Sequence, residues 1–218
     1  MIKADFHVHT KYSMDCDMPL EKIIESCLKA QVDCIAISDH GTVEGALELQ
    51  GMAPFKVIVA EEILTPHGEI GGMFLKESIP SGIPVEEAVS RVKAQGALVY
   101  LPHPFDPFRG LRLNGHRLEE LAEQIDLVEV FNARSPISMG ESKTRAFATR
   151  YDLAKIVGSD AHTPNEIGRT YLEMPEFNGK DEFLGAIRAG RISMHRSSLL
   201  VHVASTWVWL KYKLGQLL

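Results

Sequence analysis

The chain has 218 residues, 45% apolar and 24% charged, enough for one large domain or two small ones around a sizeable core. A net charge of −6 and a pI near 5.8 exclude general affinity for nucleic acid. Its three cysteines (Cys16, Cys27 and Cys34) form no CxxC pair, which excludes a disulfide scaffold and fits a reducing compartment.

Met1 leads straight into a strand-like segment with no room for a signal peptide. No apolar run reaches the roughly 18 residues that span a bilayer. The expectation is a cytoplasmic protein with no membrane contact.

The elements follow a strand-then-helix rhythm. Residues 2–7 read as a strand, and 19–31 as a helix with Ile23, Ile24, Cys27 and Leu28 on one face. The run 33–38 is a buried strand, 43–50 a short helix, 56–60 a strand and 70–75 another. Pro84 opens a helix that stops at Gly96, the usual start and stop residues. Then come a strand at 97–101, a helix at 118–124 and a strand at 127–131. A helix at 139–151 follows, with strands at 155–157 and 169–174 and a helix at 180–189. Residues 198–218 carry Leu199, Val203, Trp207, Leu210 and Leu214 at helical spacing, predicting a C-terminal helix packed across the rest of a single domain. The alternative is membrane-surface or dimer contact through Trp207 and Trp209.

Alternating strands and helices imply an α/β fold with a parallel sheet covered by helices. About seven units fit a closed or nearly closed barrel. An open doubly wound sheet is the competitor, and periodicity does not separate them.

Polar residues gather at the predicted strand ends. These are His7 and His9, Asp39 and His40, Glu61 and Glu62, His103, and Asp160 and His162. In a strand, His7 and His9 share a face. In a parallel barrel all of these ends form one rim, where barrel enzymes do their chemistry. Imidazole with carboxylate and no thiolate suits zinc, manganese or iron. Singly, each histidine reads as a structural residue; together the set reads as a metal centre. His67, His116, His195 and His202 read as structural. Two arginine-rich stretches, Arg134 to Arg150 and Arg188 to Arg196, read as solvated helix faces.

The motifs Asp-Phe-His-Val-His-Thr, Ser-Asp-His-Gly-Thr, Ala-Glu-Glu-Ile, Leu-Pro-His-Pro-Phe-Asp and Gly-Ser-Asp-Ala-His-Thr, spanning residues 5–163, resemble the PHP (polymerase and histidinol phosphatase) family. The resemblance implies a distorted (β/α)7 TIM-like barrel with two or three divalent ions (Zn, Mn or Fe) at its rim, and phosphoesterase activity. Carried over by position, His7, His9, Glu62 and Asp160 resemble the ligands of one ion, with Glu62 bridging to a second. His103 resembles a ligand of the second ion, and Asp15, His40 and His162 those of a third. Many relatives have a histidine in the strand after the bridging glutamate. Here Glu69 stands in that stretch, leaving Glu69, His67 or a weakly held ion as the readings.

The expected reaction is hydrolysis of a small phosphorylated substrate by in-line attack of a metal-bridging hydroxide. Arg109, Arg134 and Arg169 are candidates to hold the phosphate, and Asp39 to orient a ligand histidine. The alternatives are an exonuclease or oligonucleotide phosphodiesterase, and an inactive PHP module with a binding role. No extended nucleic acid is expected, and the assembly is a monomer or homodimer.

Overall fold

The computed structural model describes residues 1–107, 109–113, 115–135, 140–198 and 201–215, with backbone alone at 116, 202–204 and 215. Strands are β1 (Ile2–Val8), β2 (Cys34–Ile37), β3 (Lys56–Thr65), β4 (Gly68–Met73), β5 (Leu98–Leu101), β6 (Leu127–Asn132), β7 (Ala154–Gly158), β8 (Tyr171–Met174) and β9 (Arg191–Ser193). Helices are α1 (Leu20–Ala30), α2 (Glu44–Met52), α3 (Val85–Ala94), α4 (Gly115–Ala122), α5 (Glu141–Arg150), α6 (Gly179–Arg188) and α7 (Val201–Gly215).

One sheet runs β7-β6-β5-β4-β3-β2-β1-β8-β9. It closes on itself where β1 meets the segment after β7: His9 N–H donates to Ala161 O (2.9 Å) and Ala161 N–H to His7 O (3.3 Å). The result is a nearly closed, TIM-like barrel.

The expectation of a purely parallel sheet needs correction. β1, β2 and β3 are parallel, as are β5, β6 and β7, but β4 runs antiparallel to both β3 and β5. β8 is antiparallel to β1, and β9 to β8. The reason lies in Thr65-Pro66-His67-Gly68. This turn is too short for the crossover that parallel neighbours need, so β3 and β4 form a hairpin. Glu61 and Glu62 consequently lie within β3, which continues to Thr65, rather than at its end.

Two apolar layers result. Ala36, Ile58, Ala60, Leu98, Tyr100, Leu127 and Ile156 fill the barrel interior, with Phe6, Phe177 and Phe183. Ile35, Ile37, Val57, Val59, Val99 and Val128 face outward against Leu20, Ile23, Leu49, Val85, Val89 and Phe147 of the helices. The alternation in β1 is broken by a register shift between Asp5 and Val8. Phe6 joins the interior packing, and the next residue, His7, meets Glu62 at the barrel mouth. Bulges near active sites commonly re-aim a side chain in this way.

The last helix departs furthest from expectation. α7 occupies 201–215, and its described large apolar side chains, Trp207, Trp209, Leu210, Tyr212 and Leu214, are exposed rather than packed across the barrel. The expected contributions of Leu199 and Val203, like the predicted helix start at Met139, lie outside the described residues. Among the described residues no helix is long and apolar enough to cross a membrane.

Candidate metal centre

The strands and the loops that follow them place the imidazoles and carboxylates in one cluster. Gly158 makes room for it: a Cβ there would lie 2.2 Å from the Cβ of His7. His7 Nε2 lies 3.1 Å from Glu62 Oε2 and 3.8 Å from Asp160 Oδ1. His9 Nε2 lies 3.4 Å from Glu62 Oε2 and 3.3 Å from Asp160 Oδ1. Glu62 faces the cluster on every side, with His40 Nδ1 3.6 Å from its Oε2 and His103 Nε2 3.3 Å from its Oε1. A further group forms beside it: Asp15 Oδ2 is 3.0 Å from His162 Nε2 and 3.5 Å from His40 Nε2. Glu69 Oε2 lies 3.4 Å from His103 Nε2.

All nine sequence-predicted ligands therefore converge: His7, His9, Asp15, His40, Glu62, Glu69, His103, Asp160 and His162. Two of them, His103 and Asp160, have left-handed backbones (φ 27° and 54°), a strain that active sites commonly hold.

The electrostatics call for cations. Burial raises the cost of charge on Glu62, but His7, His103 and His9 outweigh it and hold the carboxyl well below its ordinary range. Asp160 is also held well below, with Arg109 and His7 overcoming burial. Burial opposes a charged His7, yet Glu62, Glu129 and Asp160 raise its pKa well above the usual value. His40 is raised to about 10, with Asp15 and Glu62 outweighing burial. Even so, Glu62 Oε1 and Oε2, Asp160 Oδ1, Glu69 Oε2, His103 Nε2 and His40 Nδ1 are buried without a hydrogen-bond partner. Buried polar atoms left bare are costly, and these are all atoms that bind divalent metals. The donor set fits the ions that the motifs imply. Triads of close ligand atoms include His7, His9 and Asp160; His7, Glu62 and His103; and His9, Asp15 and His162.

The supporting residues were less visible in the sequence. Glu129 Oε1 accepts from His7 Nδ1–H (3.0 Å), which turns Nε2 toward the cluster, and Oε2 accepts from the His103 backbone N–H (2.9 Å). Ser13 Oγ lies 3.3 Å from His9 Nδ1 and donates to Asp15 Oδ1 (2.8 Å). Asp5 accepts from the backbone N–H groups of Ser159 (2.9 Å) and Gly168 (3.2 Å), tying β1 to the loop after β7. Glu166 Oε2 accepts from the His162 backbone N–H (3.1 Å). The available signal was an acidic residue inside an apolar strand, as in Leu-Val-Glu-Val-Phe. Such a residue is expensive to bury without a partner.

The other candidates are placed variously. Arg109 reaches the cluster: Nη1 donates to Asp160 Oδ2 (2.5 Å) and Nη2 to Asn132 Oδ1 (3.4 Å), while about a third of the side chain stays exposed. Arg134 is buried and committed elsewhere. Its Nη2 donates to Val201 O (3.1 Å) and Ser205 Oγ (2.7 Å), and Nη1 to Asp160 O (3.5 Å), so it braces α7 against the loop after β7. Arg169 lines a separate depression with Tyr171, Met194, His195 and Arg196. Asp39 accepts from the backbone N–H and hydroxyl of Thr10 (both 2.6 Å), so it fixes the residue after His9 rather than a ligand imidazole.

His67 Nε2 lies 3.4 Å from Arg117 Nη1, and His195 Nδ1 donates to Arg169 O (3.0 Å), both structural contacts. The side chains of His116 and His202 lie outside the described residues. Several arginines of the two basic stretches are ion-paired: Arg150 with Glu119, Arg188 with Asp152 and Arg196 with Glu141.

A clustered His/Asp/Glu centre at the mouth of a distorted α/β barrel defines a class of metal-binding barrels. The chain belongs to the PHP domain family. The PHP domain model matches residues 5–70 and the PHP-associated model residues 142–192. It is 38% identical over 181 residues to the uncharacterized protein MJ0417 of Methanocaldococcus jannaschii, covering 81% of this chain and 72% of that one. It is 37% identical over 145 residues to the uncharacterized protein MJ1587 of the same organism, covering 61% and 82%. Among solved structures it is similar to a two-domain protein from Bacteroides vulgatus, described as containing a predicted PHP-like metal-dependent phosphoesterase (TM-score 0.72, 18% identity). That match covers 89% of this chain, which spans only 65% of the longer protein.

Proposed function

We propose that this protein is a metal-dependent hydrolase of small phosphate esters. The observation that carries the reading is the set of buried, unpartnered donor atoms at the barrel mouth, contributed by His40, Glu62, Glu69, His103 and Asp160. His7, His9, Glu62 and Asp160 would hold one ion, Asp15, His40 and His162 another, and Glu62 with His103 would face a further position. Divalent ions bound there would supply Lewis acidity, lowering the pKa of a bound water and neutralising charge on phosphoryl oxygens.

The chain's own residues do the rest. Glu129 holds His7 in the tautomer whose Nε2 lone pair faces the cluster. The Arg109 guanidinium, partly exposed beside Asp160, keeps N–H groups free for a phosphoryl oxygen. The fully buried His7, His9 and Asp160 keep bulk water from the base of the site.

The test is turnover by metal-reconstituted protein of p-nitrophenyl phosphate, then of a panel of phosphate monoesters and short oligonucleotides. Inorganic phosphate released from monoesters is the expected result. Shortened oligonucleotides with no phosphate from any monoester would replace this reading with a nuclease. Bound metal with no turnover of either would replace it with a binding module.

A further inference from the structure

The structure explains how Glu69 comes to the candidate metal centre. In the β3–β4 hairpin Glu62 pairs with Gly71 and Leu64 with Glu69. Directly opposed residues share a face, so Glu69 sits diagonally to Glu62 on the interior face, within reach of a long side chain. The place directly opposite Glu62 is closed to any side chain: a Cβ on Gly71 would lie 1.9 Å from the Tyr100 ring. Of the two diagonal neighbours of Glu62 on that face, Glu69 and Met73, Glu69 is the one with a carboxylate.

The His103 imidazole lies close to both carboxylates. His103 Nε2 lies 3.3 Å from Glu62 Oε1 and 3.4 Å from Glu69 Oε2, and all three atoms lack a hydrogen-bond partner. Two carboxylates that approach one imidazole favour a cation among them. Arg109 is the nearby cation, yet its bonds run to Asp160 and Asn132 and leave these oxygens bare. His67, in the turn of the hairpin, has its imidazole beside Arg117.

We propose that Glu69, with Glu62 and His103, holds a divalent ion in a set of two carboxylates and one imidazole, and that Glu69 shifts this position toward manganese and away from zinc. The inference rests on the metal-dependent reading above and adds which residue sets the ion preference. Carboxylate oxygens suit harder ions, and replacing one by imidazole favours zinc.

The experiment loads metal-stripped protein with manganese or zinc, singly and in competition, and counts bound ions by atomic emission and free manganese by electron paramagnetic resonance. Glu69→Gln should bind one manganese equivalent fewer than the wild type. Glu69→His should keep the wild-type number of equivalents but raise the zinc-to-manganese binding ratio at one position by roughly tenfold or more. Should Glu69→Gln not fold, the Glu69→His ratio decides alone. Unchanged stoichiometry in Glu69→Gln together with an unchanged ratio in Glu69→His would overturn the role of Glu69 while leaving the hydrolase reading intact. A wild type that binds no manganese or zinc at all would overturn both.

Discussion

Glu61 and Glu62 are neighbours on β3, both buried, and their surroundings are opposite. Glu62 faces the barrel mouth, where His7, His103 and His9 overcome the burial cost and keep it charged. Glu61 accepts one hydrogen bond, from the Ile79 N–H (2.9 Å), and its Oε1 has no partner. Burial pushes its pKa up to about 7. A strand with period-two alternation can thus carry a charged acid on one face and, on the next residue, one that holds its proton up to about pH 7. The inner face is built to receive cations. The outer one uses a carboxyl group to anchor the loop that carries Ile79.

Substitution by glutamine should separate the two sharply. Glu62→Gln removes the carboxylate shared by the whole cluster. We expect loss of at least one bound metal equivalent and a fall in kcat/KM of roughly a thousandfold, read by metal analysis and turnover. Glu61→Gln should leave metal content unchanged and show itself in stability instead. The native state holds the Glu61 proton up to about pH 7, whereas the unfolded chain loses it near pH 4.5. Between those values the folded form binds more protons, so wild-type stability contributed by this group falls as pH rises. The variant, which has no charge to bury, should gain on the wild type across that window by up to about 3 kcal/mol at pH 8. Denaturant unfolding at pH 5 and pH 8 measures it. Equal gains at the two pH values would show that Glu61 does not titrate between them.

A smaller effect is expected one step out from the cluster, at Glu129. It contacts His7 through one oxygen and the His103 backbone through the other. Glu129→Gln keeps the shape and loses the charge. Metal affinity should weaken by about 10- to 100-fold with the fold intact, as judged by circular dichroism and metal titration.

This residue also marks the boundary of what the sequence discloses. Most of the candidate ligands were legible because His7, His9, His40, His103, Asp160 and His162 follow predicted strands in motifs, and a barrel gathers such ends on one rim, whereas Asp15 and Glu69 came only with the family resemblance. Glu129 has no motif: Leu-Val-Glu-Val-Phe reads as an ordinary strand, and its partner His7 is 122 residues away. The register shift in β1, which brings His7 to the mouth directly after the buried Phe6, was hidden for a related reason. Simple alternation already placed His7 and His9 together, so nothing in the pattern asked for a bulge. The antiparallel β4 was readable in principle from the Thr65–Gly68 turn, but the strand-helix rhythm around it favoured a crossover. Among the arginines, only the fold shows that Arg109 reaches Asp160 while Arg134 is spent on α7.

The smallest effect belongs to α7, the counterpart of the barrel in every respect. Barrel side chains such as Phe6, Tyr100 and Ile58 are nearly or wholly inaccessible, whereas Trp207 is 61% and Leu214 53% exposed. Described polar contacts to α7 come from Arg134, to Val201 O and Ser205 Oγ in its first turns. A side chain that buries little area on folding contributes little, so Trp207→Ser should change thermal unfolding by no more than about 0.5 kcal/mol. Phe6→Ala, by contrast, opens a cavity in the barrel and should cost about 3–5 kcal/mol. The measurement is best run at several protein concentrations. A Trp207→Ser loss that grows with concentration would mean that a second copy covers this face, because association stabilises the folded state by mass action. A small loss independent of concentration would mean that no second copy covers Trp207.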